Sequence, residues 1–447
     1  AGKTVLQRTP VAKYNELLQK GTQPDSFRPT MYDFLAYNAL QFYSTGEQAG
    51  SKAQDAFELS ANGPVFDSSE KFTAWDIKTT DTESRTVKAL KLYQSLLKFH
   101  KNDEDKSAYV DADLARINFG KNKGFGEEKN DRYRSALKGL INIWADHRIS
   151  ARARFHLAQS LDQEGDKVQA HKIAIQGRDA FPNTPGGGMC HNLVNQIEAK
   201  SSQVTVERVW NDPQSEITIK YRNVDQIHFR VVAENWEAAM KRKRGNPQWL
   251  DQNEKKALLR KEIINQWSVK LPPTTDFHEA VKTIKPPKGI PAGFYYLISS
   301  HNKNFNDANN VCYYTDFWAS DLSIVMRQRS GNGLVEGFVL NAKSGEPIAG
   351  ANIRAWTRNG NARQEVNPTT SDANGHFKFQ AINRGYLILA SKADQQLSTA
   401  NDYSNSNRIN NPRPYDRTIF FTDRSIYRPG QTVEFKGLCI YVDQHGD

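Results

Sequence analysis

The first two hundred residues carry apolar side chains at helical spacing. A helix is predicted over residues 31–43. The side chains expected near its apolar face are Phe34, Leu35, Asn38 and Phe42, with Ala39 beside them. Thr30 is predicted to be the N-cap of this helix, and Asp33 lies three residues later, near the positive end of the helix dipole.

From residue 89 onward, a pattern of small and large apolar residues recurs. The segments that share it are residues 89–99, 112–119, 136–144, 153–161 and, more weakly, 168–174. Small residues let paired helices approach closely, and large residues fill the remaining gaps. The pattern therefore predicts helical-hairpin repeats, similar to tetratricopeptide repeats but irregular in period. At Gly165 one helix is expected to end and the next to restart.

After this region the hydrophobic period changes from 3.6 to 2. Residues 182–188 (PNTPGGG) predict a break, and one more helix is expected over residues 190–200. Strands are predicted at residues 217–221, 227–232 and 293–300, and residues 322–325 are expected to close this unit. A helical stretch over residues 235–267 is expected to interrupt it.

A second β unit is predicted from residue 334 to about residue 398. Its short alternating segments include residues 335–340, 351–356 and 386–390, separated by turns rich in Gly, Pro, Asn and Asp. This spacing is typical of a β-sandwich. The polar tract 401–413 is predicted to be a linker.

The segment 422–437 (TDRSIYRPGQTVEFKG) reads as strand, tight turn and strand. Pro429 presets its backbone φ and Gly430 tolerates positive φ, so this pair predicts a turn. Val433 and Phe435 then alternate onto one face of a following strand. The residues alone predict the start of a β-hairpin within a sandwich.

Composition supports a folded, multidomain chain. The 447 residues are 38% hydrophobic and 11% aromatic, which is enough for several cores and suggests about three domains. The formal net charge is +10, but basic residues are spread along the chain. The densest cluster, residues 241–244, is not interleaved with aromatic residues, so no nucleic-acid partner is predicted.

The hydropathy of the chain, its first residue and its cysteines bear on where the protein is found. No apolar run of about 18 residues occurs, so no transmembrane segment is predicted. The first residue is Ala1, as expected for a mature secreted protein or a trimmed one. The cysteines are Cys190, Cys312 and Cys439, which indicate neither a disulfide framework nor a metal site.

Known catalytic motifs are missing from the sequence. There is no HExxH zinc motif, no phosphate-binding loop and no GxSxG nucleophile motif. Residues 372–375 (DANG) resemble the start of a calcium loop but lack its downstream ligands, so a β-turn is predicted. Cys190 and His191 are neighbours on a helix and point different ways, which favours a core cysteine and a surface histidine. No catalytic residue, no cofactor and no metal site are predicted.

The aromatic residues between positions 236 and 318 leave two alternatives. They could line a glycan-binding surface, or they could fill cores and contacts between domains, which is the more common role of aromatics in and around strands. The set comprises Trp236, Trp249, Trp267, Phe294, Tyr295, Tyr296, Tyr313, Tyr314, Phe317 and Trp318.

Two motif sets resemble known families. Segment 422–437 resembles the signature that opens a macroglobulin-like domain in the alpha-2-macroglobulin family. The signature residues are Asp423, Tyr427, Arg428, Pro429 and Gly430, all with structural roles. The second β unit resembles a carboxypeptidase-regulatory-like, transthyretin-like sandwich at residues 335–337, 344–351 and 370–375. The chain thus has a helical part, a macroglobulin-like β domain, this sandwich and then the 422–437 hairpin. That order is similar to the N-terminal region of bacterial alpha-2-macroglobulin-like proteins, and residues 29–36 also resemble that group.

The resemblance implies a multidomain fold in which an all-α, tetratricopeptide-like repeat domain precedes all-β macroglobulin-like and transthyretin-like sandwiches. The predicted parts are a flexible segment at 1–27, a helical repeat domain at 28–201, a macroglobulin-like domain with a helical insertion at 202–326, a regulatory-like sandwich at 327–400, a linker at 401–413 and the start of a truncated macroglobulin-like domain at 414–447.

The family's trapping chemistry is not recognisable in this sequence. Many members form a thioester within a Cys-x-x-Gln-type motif, but Leu193, Thr315 and Val442 follow the three cysteines at that spacing. The resemblance therefore implies a non-enzymatic scaffold region of a periplasmic, outer-membrane-associated or extracellular endopeptidase inhibitor. Its expected partners are proteases, through the parent protein, and cell-envelope proteins, through the helical domain. The alternative is a cell-surface module that binds glycans or proteins without inhibiting proteases.

Overall fold

The computed structural model describes residues 2–19, 21, 24–45, 55–211, 216–241, 247–306, 310–327, 334–359, 362–380, 385–404, 415–423, 426–427 and 430–442. The chain divides into two compact units. The first, here called the helical unit, is Ala1–Lys200 with Thr274–His278, and the second, the β unit, is Ser201–Pro273 with Glu279–Asp447. Helices followed by β-sheets are the fold class predicted from the sequence.

Successive helices build the helical unit. Its α-helices are α1 Gly2–Arg8, α2 Met31–Ser44, α3 Ser69–Ala74, α4 Arg85–His100, α5 Ser107–Lys123, α6 Lys129–Ile143, α7 Ser150–Glu164, α8 Lys167–Ala180 and α9 Pro185–Glu198, with 3-10 turns at Val11–Tyr14, Asp25–Phe27 and Pro64–Phe66. From α4 to α9 each helix contacts the next, and α7 also contacts α9. The repeated apolar pattern thus lies on helices that pack in sequence order.

Helix α2 begins as predicted but buries a different face. The Thr30 hydroxyl accepts from the Asp33 amide, and the Asp33 carboxylate accepts from the Thr30 amide, which forms a capping box. The predicted apolar face is wrong, because Leu35 and Phe42 are 45% and 57% exposed. The buried side chains of α2 are Tyr32, Asp33, Ala36 and Leu40. Their spacing follows the contact between α2 and α4, which sequence periodicity does not reveal.

The glycines near α7 and α9 have two different roles. Gly165 ends α7 with φ +93°, as predicted for a helix stop. The predicted break at residues 182–188 is wrong in its second half, because α9 starts at Pro185 and includes Gly186. A Cβ atom on Gly186 would lie 2.6 Å from the Arg152 backbone nitrogen. This glycine therefore permits close approach to α7 rather than breaking a helix.

The β unit begins with two sheets and two short helices. The elements are β1 Ser201–Val206, β2 Val209–Trp210, β3 Ile217–Arg222, β4 Gln226–Glu234, α10 Trp236–Met240, α11 Gln252–Leu259, β5 Ile263–Lys270, β6 Ala280–Ile284, β7 Gly293–Ser300 and β8 Cys312–Ala319. The sheet orders are β1-β3-β6 and β2-β8-β7-β4-β5. The predicted helical stretch was too long, because β5 alternates along β4 and places Trp267 opposite Phe229.

Two further sheets follow. Their strands are β9 Leu322–Arg327, β10 Leu334–Asn341, β11 Asn352–Asn359, β12 Ala362–Thr370, β13 His376–Gln380, β14 Gly385–Lys392, β15 Gln395–Ser398 and β16 Tyr403–Ser404. The orders are β13-β10-β9 and β12-β11-β14-β15, with β16 also on β14. Residues 322–325, expected to close the preceding unit, instead pair with β10. A separate antiparallel hairpin joins β17 Tyr415–Thr422 to β18 Phe435–Val442.

Strand β7 is buried on both faces, and its alternate residues enter different cores. Phe294, Tyr296 and Ile298 belong to a core that continues into β10, β11 and β14, whereas Tyr295 and Leu297 belong to a core with β3 and β4. A strand covered on both sides reads as a continuous apolar run, which is the pattern of β7. The sheet that contains β7 therefore forms the middle layer of the β unit.

Candidate functional site

The family-signature loop lies between β17 and β18, and Asp423 closes it. The Asp423 amide donates to the Glu434 carbonyl oxygen at 3.1 Å, and the Glu434 amide donates to Asp423 Oδ1 at 3.2 Å. The Tyr427 hydroxyl donates to the same Asp423 oxygen at 2.5 Å. Asp423 thus binds Glu434, at the other end of the loop, through both its backbone and its carboxylate, and the same carboxylate binds Tyr427 within the loop.

Of the remaining signature residues, the structure describes Gly430. Gly430 has φ +86°, the left-handed conformation that its predicted turn requires. Arg428 and Pro429 lie outside the described residues. Asp423, Tyr427 and Gly430 bring together one carboxylate, one phenol and a turn, which orders a loop but supplies neither a nucleophile nor a binding pocket.

The hairpin that carries this loop exposes apolar side chains on both faces. Phe421, paired with Lys436, lies on one face and is 56% exposed. Phe420 and Phe435 lie on the other face, 63% and 67% exposed, with ring centroids 5.6 Å apart. An isolated two-stranded hairpin is only marginally stable in water, so these faces are suited to packing against further strands.

The cysteines do not form a reactive centre in the described parts of the chain. Cys190 is fully buried, as predicted, and its thiol donates to the Ala151 carbonyl oxygen at 3.3 Å. Burial raises the pKa of Cys190 to about 11, so the thiol stays protonated at neutral pH. Neighbouring His191 is exposed and contacts Asn195. Within the described residues, no group of three or more His, Cys, Asp or Glu side chains could hold a metal ion.

Most of the aromatic residues that could have formed a glycan surface are in cores. Those with less than 5% exposure are Trp236, Phe294, Tyr295, Tyr296, Phe317 and Trp318. For these six the core interpretation is confirmed. Trp249 and Tyr313 are exposed, at 49% and 37%.

A buried imidazole between two carboxylates is the main polar cluster that sequence reasoning missed. His100, at the end of α4, is 1% exposed. Its Nε2 lies 2.7 Å from Asp33 Oδ1 and its Nδ1 lies 2.6 Å from Asp103 Oδ2. Both ring nitrogens can donate only when the imidazole is protonated. The Thr30 hydroxyl donates to the second Asp33 oxygen at 2.8 Å, so the charged pair is tied to the start of α2.

The His100 cluster predicts that the helical unit loses stability as pH rises. Burial opposes the charged imidazole, but hydrogen bonds and charges from Asp33 and Asp103 outweigh it, so the pKa of His100 is raised. The folded state then binds more protons than the unfolded state. The stabilisation is complete below about pH 6.5, the unfolded-state pKa, and disappears as pH passes the raised folded-state value.

Denaturant unfolding of the helical unit between pH 6 and pH 9 measures this effect. We expect the wild-type free energy of unfolding to fall across this window and His100→Gln to flatten the fall. His191→Gln, which changes an exposed histidine on α9, should keep the wild-type profile. Parallel profiles for wild type and His100→Gln would contradict a charged His100.

No family model matches the chain, and no curated protein matches it. Among solved structures, a crystal structure of native Escherichia coli alpha-2-macroglobulin spanning domains MG0-NIE-MG1 is 17% identical with a TM-score of 0.35, over 45% of this chain and 64% of that one. A fragment spanning NIE-MG1 is 16% identical with a TM-score of 0.35, over 45% of this chain and 96% of the fragment.

A cryo-EM structure of native Escherichia coli alpha-2-macroglobulin is 18% identical with a TM-score of 0.28. The match covers 54% of this chain but only 15% of that one. The chain is similar to bacterial alpha-2-macroglobulins over about half of its length.

Proposed function

We propose that this chain is a non-enzymatic scaffold region of a bacterial alpha-2-macroglobulin-like endopeptidase inhibitor. The signature loop carries the proposal. The Asp423 carboxylate accepts from Tyr427 and from the Glu434 amide, and Gly430 has a positive φ, which fits the family signature that opens a macroglobulin-like domain. Their roles are structural, so the trapping chemistry is assigned to regions outside this sequence.

The exposed apolar side chains of the hairpin support the proposal that it belongs to a larger domain. Phe420, Phe421 and Phe435 are each more than half exposed. Removing such side chains from water contributes about 2 kcal/mol each. We assign both faces of the hairpin to packing against additional strands of a macroglobulin-like domain. The regulatory-like assignment of the preceding sandwich belongs to the same proposal, as do the domain boundaries given above, except that β9 is placed with the sandwich because it pairs with β10.

Aromatic contacts and ion pairs in the interior of the β unit are those expected of a rigid scaffold. Trp236 on α10 lies between Trp318 on β8 and Trp356 on β11, with ring centroids 6.1 and 5.4 Å away. Arg354 beside them forms ion pairs with Glu237 on α10 and with Glu365 on β12. These contacts join the first pair of sheets to the second through one core, which limits motion between them.

The proposed partners and location follow the family resemblance. Proteases would bind the parent protein, and the tetratricopeptide-like helical unit would contact cell-envelope proteins. The proposed location is the periplasm, the outer membrane or the cell exterior. Within the described residues, no helix is long and apolar enough to span a bilayer.

A trapping assay on the full-length gene product tests the proposed function. We expect an active serine protease to cleave the protein and to elute with it on size-exclusion chromatography. The same protease with its catalytic serine blocked should elute alone. Cleavage without retention, or a gene that encodes no β domain after Asp447, would overturn the proposal. Specific glycan binding that is lost in Trp249→Ala would favour the surface-module alternative.

A further inference from the structure

The helical unit contains a cavity of about 630 Å³ beside α2. Its apolar lining includes Leu18, Phe34 and Leu40, and its polar lining includes Arg28 and Tyr93. Cavities of 300–1,000 Å³ with an apolar wall and a few polar groups are typical of small-ligand sites in general. The cavity belongs to the helical unit and the signature loop to the β unit, so the role of the cavity does not rest on the proposed function.

Tyr93 lines this cavity with a hydroxyl that has no acceptor among the described residues. The residue is 5% exposed, and its ring packs 5.5 Å from Phe119. Its hydroxyl makes no hydrogen bond to any part of the chain that the structure describes. Burial, and then the charge of Asp111, raise the pKa of Tyr93, so the hydroxyl remains a proton donor at physiological pH. A hydroxyl that faces a cavity and has no described protein acceptor can donate to a bound acceptor.

Arg28 supplies a positive charge at the same cavity. Its guanidinium stacks 3.7 Å from the Tyr37 ring centroid, and its Nε lies 3.6 Å from Asp111 Oδ2. Asp111 is already paired with Arg152 at 2.7 Å and accepts from the Tyr37 hydroxyl at 2.9 Å. Two arginines therefore face one buried carboxylate, which leaves one net positive charge.

The terminal nitrogens of Arg28 make no hydrogen bond within the described residues, and the side chain is 44% exposed. The edge formed by the two terminal nitrogens of a planar guanidinium suits a carboxylate, which can accept from both. Asp25 also lines the cavity, but it is exposed, so solvent and salt screen its charge.

We propose that this cavity binds an amphipathic carboxylate. Its apolar body would contact Leu18, Phe34 and Leu40, and its carboxylate would accept from Arg28 and from the Tyr93 hydroxyl. Two sources share this chemistry: the C-terminal residue of an apolar peptide, and a free fatty acid.

Calorimetry with the 447-residue chain tests the site and separates the sources. The probes are decanoate against decanol, and a Leu-Leu-Phe peptide with a free C-terminus against its C-terminal amide. We expect at least one carboxylate to bind, with its neutral counterpart at least tenfold weaker. Binding of decanoate alone would assign a fatty acid, and binding of the free-acid peptide alone would assign a peptide C-terminus.

Two variants connect the binding to the named side chains. Arg28→Gln should weaken binding at least tenfold, because it removes a charged donor, and Tyr93→Phe should weaken it about five-fold, because it removes a neutral one. Arg178→Gln changes a partly exposed arginine on α8 that does not line the cavity, so it is the matched control and should leave affinity unchanged. Tyr93→Phe should not lower thermal stability, because the hydroxyl has no described protein partner to lose.

Several results would overturn the site. The first is failure of both carboxylates to bind the folded chain at millimolar concentration. The second is equal binding of the acids and their neutral counterparts. The third is binding that neither Arg28→Gln nor Tyr93→Phe weakens. None of these results would affect protease retention by the full-length protein, so the two proposals fail separately.

Discussion

Replacing Trp318 with alanine is expected to lower the free energy of unfolding of the β unit by about 4 kcal/mol. Trp318 is fully buried, and its ring lies 5.1 Å from Phe294 and 6.1 Å from Trp236. Its removal leaves a cavity in the core that both pairs of sheets share. The sheets on either side should therefore lose stability together, in one transition.

Guanidinium unfolding monitored by far-ultraviolet circular dichroism measures this loss. Trp249→Ala makes the same chemical change at a side chain that is 49% exposed, so it should cost much less. A loss below about 1 kcal/mol for Trp318→Ala, or two separate β transitions, would contradict the shared core.

Replacing Arg116 with methionine is expected to destabilise the helical unit by a similar amount, about 4 kcal/mol. Arg116 is 1% exposed and donates to Asp113 Oδ1 at 2.7 and 2.9 Å. It also donates to the carbonyl oxygens of Val65 and Asp67. Methionine fills part of the volume but leaves the buried Asp113 carboxylate without its cation.

Thermal unfolding of single and double variants separates the charge from the packing. Burial already raises the pKa of Asp113, although Arg116 opposes that shift. Adding Asp113→Asn to Arg116→Met should recover part of the loss, because the unpaired charge is removed. Arg178→Met, which breaks an exposed pair with Asp179, should leave the transition unchanged. No recovery in the double variant would mean that packing, rather than charge, dominates.

Local structure was predictable from the sequence wherever a few neighbouring residues determine it. The Thr30 cap and the Gly165 stop each depend on a few adjacent residues, and both are confirmed. The apolar face of α2 was predicted wrongly, because periodicity does not say which helix a face will meet. The helical stretch ending at Trp267 failed for a related reason, since pairing with β4 decides that residues 263–270 form a strand.

The candidate sites show the same difference between features that neighbouring residues decide and features that distant contacts decide. The signature loop depends on residues within 12 positions of one another, so its turn at Gly430 was recognisable. His100 and Asp33 are 67 positions apart, and Arg28 meets Asp111 only after α2 packs on its neighbours. A capping aspartate and a terminal histidine are common on helices, so nothing in the local sequence indicates that these two would pair.

Strand β7 has a consequence for how the β unit tolerates change. Because alternate residues enter different cores, substitutions at 294, 296 and 298 should disturb one side of the middle layer, and those at 295 and 297 the other. Neither side offers a solvent-facing position where a polar residue could be accommodated. The strand is therefore a poor place for new specificity to evolve, and variation for partner recognition is left to the outer sheets, their edges and their loops.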